Sequence, residues 1–308
     1  MFWVSPPRST MKNRCITHSL LLSTVIFWGL AFVFIKLSLR ELSPANLTLL
    51  RFYLAGPLFI ITALVGWRTF IQLRPVDWVL CLIVGVCGSG IYHFFLNYGA
   101  QFTTSSTASL IIALNPILLV VFSIIFLKEP FTWLKGLGVL TAFLGVIIII
   151  LLGQPQVDLK FGYFLAIAAI FISTLTSVVY SLLGKYLLRR FNAIILTSLA
   201  MSLGSLTLAP FINRGFISQV STLSVNGWIA VSFLAILSTY LSYITWYWGL
   251  KRTDASRAIV YYYLIPIFAL IGGRILLDET ITLFLILGGI LTISGVIMAN
   301  LKGQSNGS

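Results

Sequence analysis

Apolar runs of about twenty residues alternate with short polar breaks along almost the whole chain, and each run can cross a bilayer as a helix. Ten spans are predicted, at about 18–38, 46–67, 78–98, 103–127, 132–152, 160–183, 193–213, 227–249, 254–276 and 281–301. Turn residues and charges mark the breaks: Arg40-Glu41-Leu42-Ser43-Pro44, Arg74-Pro75, Lys128-Glu129-Pro130, Gln154-Pro155, Arg189-Arg190, Asn213-Arg214-Gly215 and Asp278-Glu279. The connection between the third and fourth spans is very short. Pro57, Pro116 and Pro266 fall inside spans and are expected to kink them, which membrane helices tolerate when neighbours satisfy the freed carbonyls.

The pattern occurs twice. A shift of 150 residues sets Tyr98-Gly99 on Trp248-Gly249, Asn115-Pro116 on Ile265-Pro266 and Lys128-Glu129 on Asp278-Glu279. Gly138 then meets Gly288, and Gly145-Val146-Ile147 meets Gly295-Val296-Ile297. Over this stretch roughly 16 of about 50 positions are identical, including a proline and a glutamate that hydrophobic bias alone would not place twice. Five spans per copy is an odd number, so the second copy enters the membrane inverted. The expected fold is an all-α integral membrane protein of two inverted five-helix repeats, the arrangement that permits alternating access. The first repeat is placed at 18–152 and the second at 160–301, between an N-terminal lead (1–17) and a C-terminal tail (302–308).

Composition agrees: 59% of residues are hydrophobic and 9% charged, with a mean hydropathy of +1.03, outside the range of water-soluble domains. A net charge of +13 would suggest nucleic acid in a soluble protein. Here the basic residues sit mainly between spans, where they set topology and meet anionic headgroups. About fourteen face one side and five the other, which places both termini in the cytoplasm of a multi-pass cell-membrane protein. Cys15, Cys81 and Cys87 offer no disulfide framework. Residues 1–13 read as a disordered lead, and the apolar run after them has no small-residue cleavage site, so it is expected to be a retained span.

The motifs are those of a known family. Trp28-Gly29, Arg51-Phe52, Tyr98-Gly99-Ala100, the Thr103–Ser109 hydroxyl run, Asn115-Pro116, Phe126-Leu127-Lys128-Glu129, Gly138 and Gly145 resemble the EamA-type drug/metabolite transporters. The counterparts Trp248-Gly249, Thr253-Asp254-Ala255-Ser256, Pro266, Leu277-Asp278-Glu279, Gly288 and Gly295 extend the resemblance from about 19 to 301. At the start of the second copy Thr174-Leu175-Thr176 stands in place of Trp-Gly. The resemblance implies a ten-helix fold around a central cavity, with the fifth and tenth helices at the periphery. It is specific for the superfamily and weak for the substrate.

Candidate chemistry lies in the third span, where Gly85, Ser89, His93 and Asn97 form a stripe at four-residue spacing. Their repeat counterparts are Ala235, Thr239, Tyr243 and Tyr247. Two walls of a shared cavity would look like this, and so would a close helix crossing. His93 is a mid-span imidazole able to titrate near neutrality, so it is a solute contact, a proton relay or a packed neutral ring. Asn115 adds an amide beside a proline kink. Tyr92, Trp28, Tyr243, Trp246, Tyr247 and Tyr262 are candidate cavity rings, whereas Trp67, Trp78, Trp133 and Trp228 fit interfacial belts.

All seven acids (Glu41, Asp77, Glu129, Asp158, Asp254, Asp278 and Glu279) fall at span ends or in loops, so coupling through a midplane carboxylate is not expected. Glu129 and Glu279 are expected to anchor corresponding helix ends. Lys36, Arg40 and Arg51 cluster near the outer face, where they could attract a carboxylate or another anionic group. Lys36 and Arg40 are read rather as snorkelling to headgroups, while Arg51 is deeper and the resemblance favours an interior role for it.

A permease for small organic solutes follows, with export of amino acids or related metabolites the favoured activity. The nearest rival is an exchanger of nucleotide sugars or phosphorylated metabolites, which would want Lys or Arg deep in the cavity to meet phosphate, whereas the deep positions are read as aromatic, hydroxyl and amide. An embedded enzyme would need clustered acids and histidines that the spans lack, and no metal-ligand spacing or phosphate loop points to a metal, cofactor or ATP. The expected partners are a small-molecule solute and lipid, with no nucleic acid, in a monomer or weak homodimer.

Overall fold

The computed structural model describes residues 11–126, 132–153, 161–188, 190–250 and 261–300. It is helical throughout these residues, with eight long apolar spans and two shorter apolar helices. We number them α1 (Met11–Ser38), α2 (Pro44–Val65), α3 (Pro75–Phe102), α4 (Ser105–Ile112 and Asn115–Phe126), α5 (Trp133–Leu152), α6 (Phe161–Leu188), α7 (Ala193–Leu206), α8 (Val225–Ser232 continuing through Leu250), α9 (Ile265–Leu277) and α10 (Leu283–Asn300). The first helix is already formed at Met11, where the described residues begin, ahead of the expected span. The third span runs longer at both ends than expected, from Pro75 to Phe102. Residues 254–260 of the expected ninth span lie outside the described residues.

Caps explain where the helices start. Ser43, Thr104, Thr132, Asn192 and Ser224 each accept a backbone N–H of the first turn they precede. The two-residue link between α3 and α4 is possible because Thr104 caps α4 at once. Pro57 lies inside α2 without ending it. Pro116 and Pro266 instead sit in the first turn of a fresh helical segment, where the missing N–H costs nothing.

Helix packing obeys the internal twofold. Contacts of α1 with α8 and α9 are matched by those of α6 with α3 and α4; α3–α7 is matched by α2–α8, and α2–α7, α4–α9 and α5–α10 are self-paired across the axis. Two inverted five-helix repeats therefore interlock rather than sit side by side. The fifth and tenth helices stand at the periphery and join each other through four glycines. A Cβ on Gly145 would lie 2.5 Å from Thr292 N, and one on Gly295 would lie 2.4 Å from Ala142 N. Gly138 and Gly288 are as close to the opposing backbone. The small residues of these spans are thus used on one another.

At one end of the bundle the repeats are tied by polar contacts. Glu279, between α9 and α10, accepts the backbone N–H groups of Ser105 and Ser106 at 2.6 and 3.2 Å and their hydroxyls at 3.0 and 2.7 Å. A carboxylate of the second repeat thereby caps the first turn of α4 in the first. Lys36 does not snorkel: its Nζ donates to the carbonyls of Ala100 and Thr103 at 3.1 and 2.8 Å. The reason is local, since the end of α3 presents carbonyls without helical partners beside it. At the same end Glu41 accepts the N–H and hydroxyl of Ser224, both at 2.7 Å. That backbone N–H first, then the hydroxyl, lowers the carboxyl below its usual range. Glu129 lies outside the described residues.

Candidate central cavity

Two π-bulges shape the middle of the molecule. In α3 the bulge covers Val86–Ile91, and in α8 it covers Phe233–Leu241, the repeat-related position. Each widens one helical turn to an i→i+5 bond, Tyr92 N to Cys87 O and Ser242 N to Leu237 O. Such a turn leaves a carbonyl free for side chains. In α3 the Gly88 carbonyl accepts His93 Nδ1 at 2.9 Å. In α8 the carbonyl of Ser238, the counterpart of Gly88, accepts Trp28 Nε1 at 3.1 Å. The carbonyl can only accept, so His93 carries a proton on Nδ1 and keeps Nε2 for another partner.

Between the bulges lies a cavity of about 260 Å³, framed by α1, α2, α3, α4, α6, α8 and α9. One wall is aromatic. Trp28 packs on Trp246, Tyr262 and Tyr243 with centroids 5.1, 6.0 and 6.2 Å apart. Tyr92 and Phe52 meet His93 edge to face at 4.7 and 4.9 Å. Opposite them Asn115 donates through Nδ2 to Ser177 Oγ, an α4–α6 contact across the repeats.

Of the residues singled out by sequence, Trp28, Tyr92, His93, Asn115, Tyr243, Trp246 and Tyr262 line this space. Ser89 and Asn97 are fully buried but do not line it. Ser89 donates to the Gly85 carbonyl at 2.7 Å, in the crossing where a Cβ on Gly204 of α7 would lie 2.4 Å from its Oγ. Asn97 Nδ2 donates to Thr48 Oγ1 of α2 at 3.0 Å. The stripe therefore divides: the bulge rotates His93 toward the cavity relative to Gly85 and Ser89, which pack in the α7 crossing, while Asn97, one turn beyond His93, is taken by Thr48 of α2. The side chain of Tyr247 lies outside the described residues.

Arg51 is the principal addition to the sequence reading. It is not near the outer face but in the cavity wall, 3% exposed. Its Nε donates to Thr239 Oγ1 at 2.6 Å and its Nη2 to Ser238 Oγ at 3.3 Å, both on the α8 bulge. The deep positions are thus not only aromatic, hydroxyl and amide. Its place well inside the apolar run of α2 was the available signal. Ser177, Tyr180, Ser181 and Ser238 also line the space and had no distinguishing pattern. Among the described residues the acids Glu41, Asp77, Asp278 and Glu279 stand at helix ends or in connections, none in the cavity.

An inverted-repeat bundle around a mixed aromatic and polar cavity is an architecture that multi-pass membrane transporters use. The profile of the EamA-like transporter family matches residues 16–151 and again 160–301, so the chain belongs to that family. An uncharacterized transporter of Archaeoglobus fulgidus is 40% identical over 89% of this chain and 94% of its own length. A protein of Streptantibioticus cattleyicolor named as a probable terminal-alkyne amino-acid exporter is 27% identical over 91% of this chain and 92% of its own. A crystal structure at 19% identity superposes with a TM-score of 0.62 over 92% of this chain and 96% of that one, which shows the shared fold.

Proposed function

We propose that this transporter moves amino acids or closely related small metabolites out of the cell through the central cavity, by alternating access between the two repeats. The observation that carries the reading is the cavity itself. Its 260 Å³ suits a solute of amino-acid size, at the lower end of ligand pockets, which run from roughly 300 Å³. Its wall offers rings for an apolar side chain and a few fixed polar groups for orientation. A nucleotide sugar would need more than this space. The similarity to a named amino-acid exporter over nearly the full length points the same way. Both termini lie in the cytoplasm in this reading, following the excess of basic residues on their side.

The described acids lie away from the cavity, which supports facilitated movement or exchange over coupling through a buried carboxylate. His93 is the one described imidazole in the cavity wall and the candidate relay if a proton is moved. Proteoliposomes holding the full chain, loaded with a mixed amino-acid and metabolite panel, test both points with and without an imposed pH gradient. Efflux of amino acids that ignores the gradient is expected. Gradient-driven accumulation would replace the facilitator with a His93-linked mechanism, and absence of amino-acid flux would overturn the substrate class.

A further inference from the structure

We propose that the Arg51 guanidinium is a carboxylate-binding site, so that the solutes this cavity takes are organic acids or zwitterions whose carboxylate docks on Arg51 with the apolar body against the Trp28 wall. The inference rests on the cavity being the solute site and adds the chemical class.

The first ground is the unbalanced charge. Among the described residues Arg51 is the charged side chain of the cavity wall; it is almost wholly buried, and no described acid lines the space with it. An ionised group at this depth is costly unless it is paired or strongly hydrogen-bonded. Among the described residues no carboxylate pairs with it: Glu41 is engaged by Ser224, Asp77 by Arg190, Glu279 by Ser105 and Ser106, and Asp278 ends α9. The second ground is geometry. The guanidinium has five N–H groups. Thr239 and Ser238 take one from Nε and one from Nη2, leaving both of Nη1 and the second of Nη2 without an acceptor among the described residues. Those remaining groups form the planar fork that a carboxylate meets with two parallel bonds. The two hydroxyls hold the fork without neutralising it.

The third ground is what lies beside it. Ser238 receives Arg51 on its side chain and Trp28 on its carbonyl, so the cation and the aromatic wall meet on one bulge. A carboxylate bound at Arg51 would have its substituent directed along Trp28, Trp246 and Tyr262, which also suit an ammonium by cation–π attraction. A single positive charge matches a monoanion. A phosphate dianion would leave one charge uncompensated in low dielectric.

Calorimetric titration of the purified full chain with 3-phenylpropanoate and its neutral amide, 3-phenylpropanamide, tests the site apart from transport. The carboxylate is expected to bind at least about tenfold more tightly than the amide in the wild type. In Arg51→Gln that preference should fall to within about twofold while amide binding persists, which also reports a folded protein. Arg51→Lys should keep part of it. Should Arg51→Gln fail to fold, Thr239→Val with Ser238→Ala frees the fork and should reduce the preference several-fold. Equal wild-type binding of acid and amide, or a preference untouched in these variants, overturns the site. Carboxylate preference without flux would leave the Arg51 site standing and remove the transport reading. Amino-acid flux indifferent to Arg51 and to amidation would do the reverse.

Discussion

His93 and Tyr243 stand at repeat-related positions, and both reach the same cavity, although their helices run in opposite directions. His93 is held by the Gly88 carbonyl and packed by Phe52 and Tyr92, so its orientation is set before any solute arrives. A single contact of this kind is worth about 1 kcal/mol, or roughly fivefold in affinity. His93→Ala and Tyr243→Ala are each expected to lower solute flux in proteoliposomes about fivefold or more, with the amount of inserted protein unchanged. Normal flux in both would remove these residues from the transport path. The sequence showed that His93 and Tyr243 were polar positions repeated in register. It did not show that Ser89 and Asn97, on the same stripe, would be spent on helix crossings. Four-residue spacing describes a regular helix, whereas α3 is bulged between Ser89 and His93, and it does not reveal that α2 lies against Asn97.

The helices meet in two distinct ways, each open to test. Glu279 joins the start of α4 to the end of α9 by four hydrogen bonds. Glu279→Ala strands two backbone N–H groups and two hydroxyls, at a cost of about 1–3 kcal/mol for the buried donors, and should lower the melting temperature in detergent more than Glu279→Gln does. A Gln variant as damaged as Ala would mean that one acceptor oxygen is not enough and both carboxylate oxygens are needed. The α5–α10 pair depends on missing side chains instead. Gly145→Leu or Gly295→Leu must push the two backbones apart, with an expected loss of about 1–3 kcal/mol seen in the same melts. An unchanged melt would show that this pair is not held by close approach. The duplicated glycines and glutamate made both sites visible in the sequence as positions of interest. Their partners were not visible, because each contact crosses from one repeat to the other.

Over the whole molecule, the inverted repeat makes the two ends of the bundle different surfaces built from equivalent segments. One end holds Glu279, Lys36 and Glu41 with their partners. The other carries the α2–α3 and α6–α7 connections, where Arg190 meets Asp77 at 3.3 Å. In the orientation proposed from the charge count, this second end is cytoplasmic. Single cysteines introduced at positions 190 and 302 should therefore resist an impermeant thiol reagent in intact cells and react after permeabilisation. Labelling of either in intact cells would reverse the topology. The sequence by itself determined the number of spans, the duplication, its inversion and the family, because these follow from run length, spacing and the parity of five. Only the tertiary structure decided which polar residues share a space. It moved Arg51 into the cavity and Lys36 onto the end of α3, and it took Ser89 and Asn97 away from the cavity. The physical reason is that span patterns report where lipid is, whereas a cavity is a place where lipid is absent. Its walls are set by how the interlocked repeats and the two bulged helices face one another.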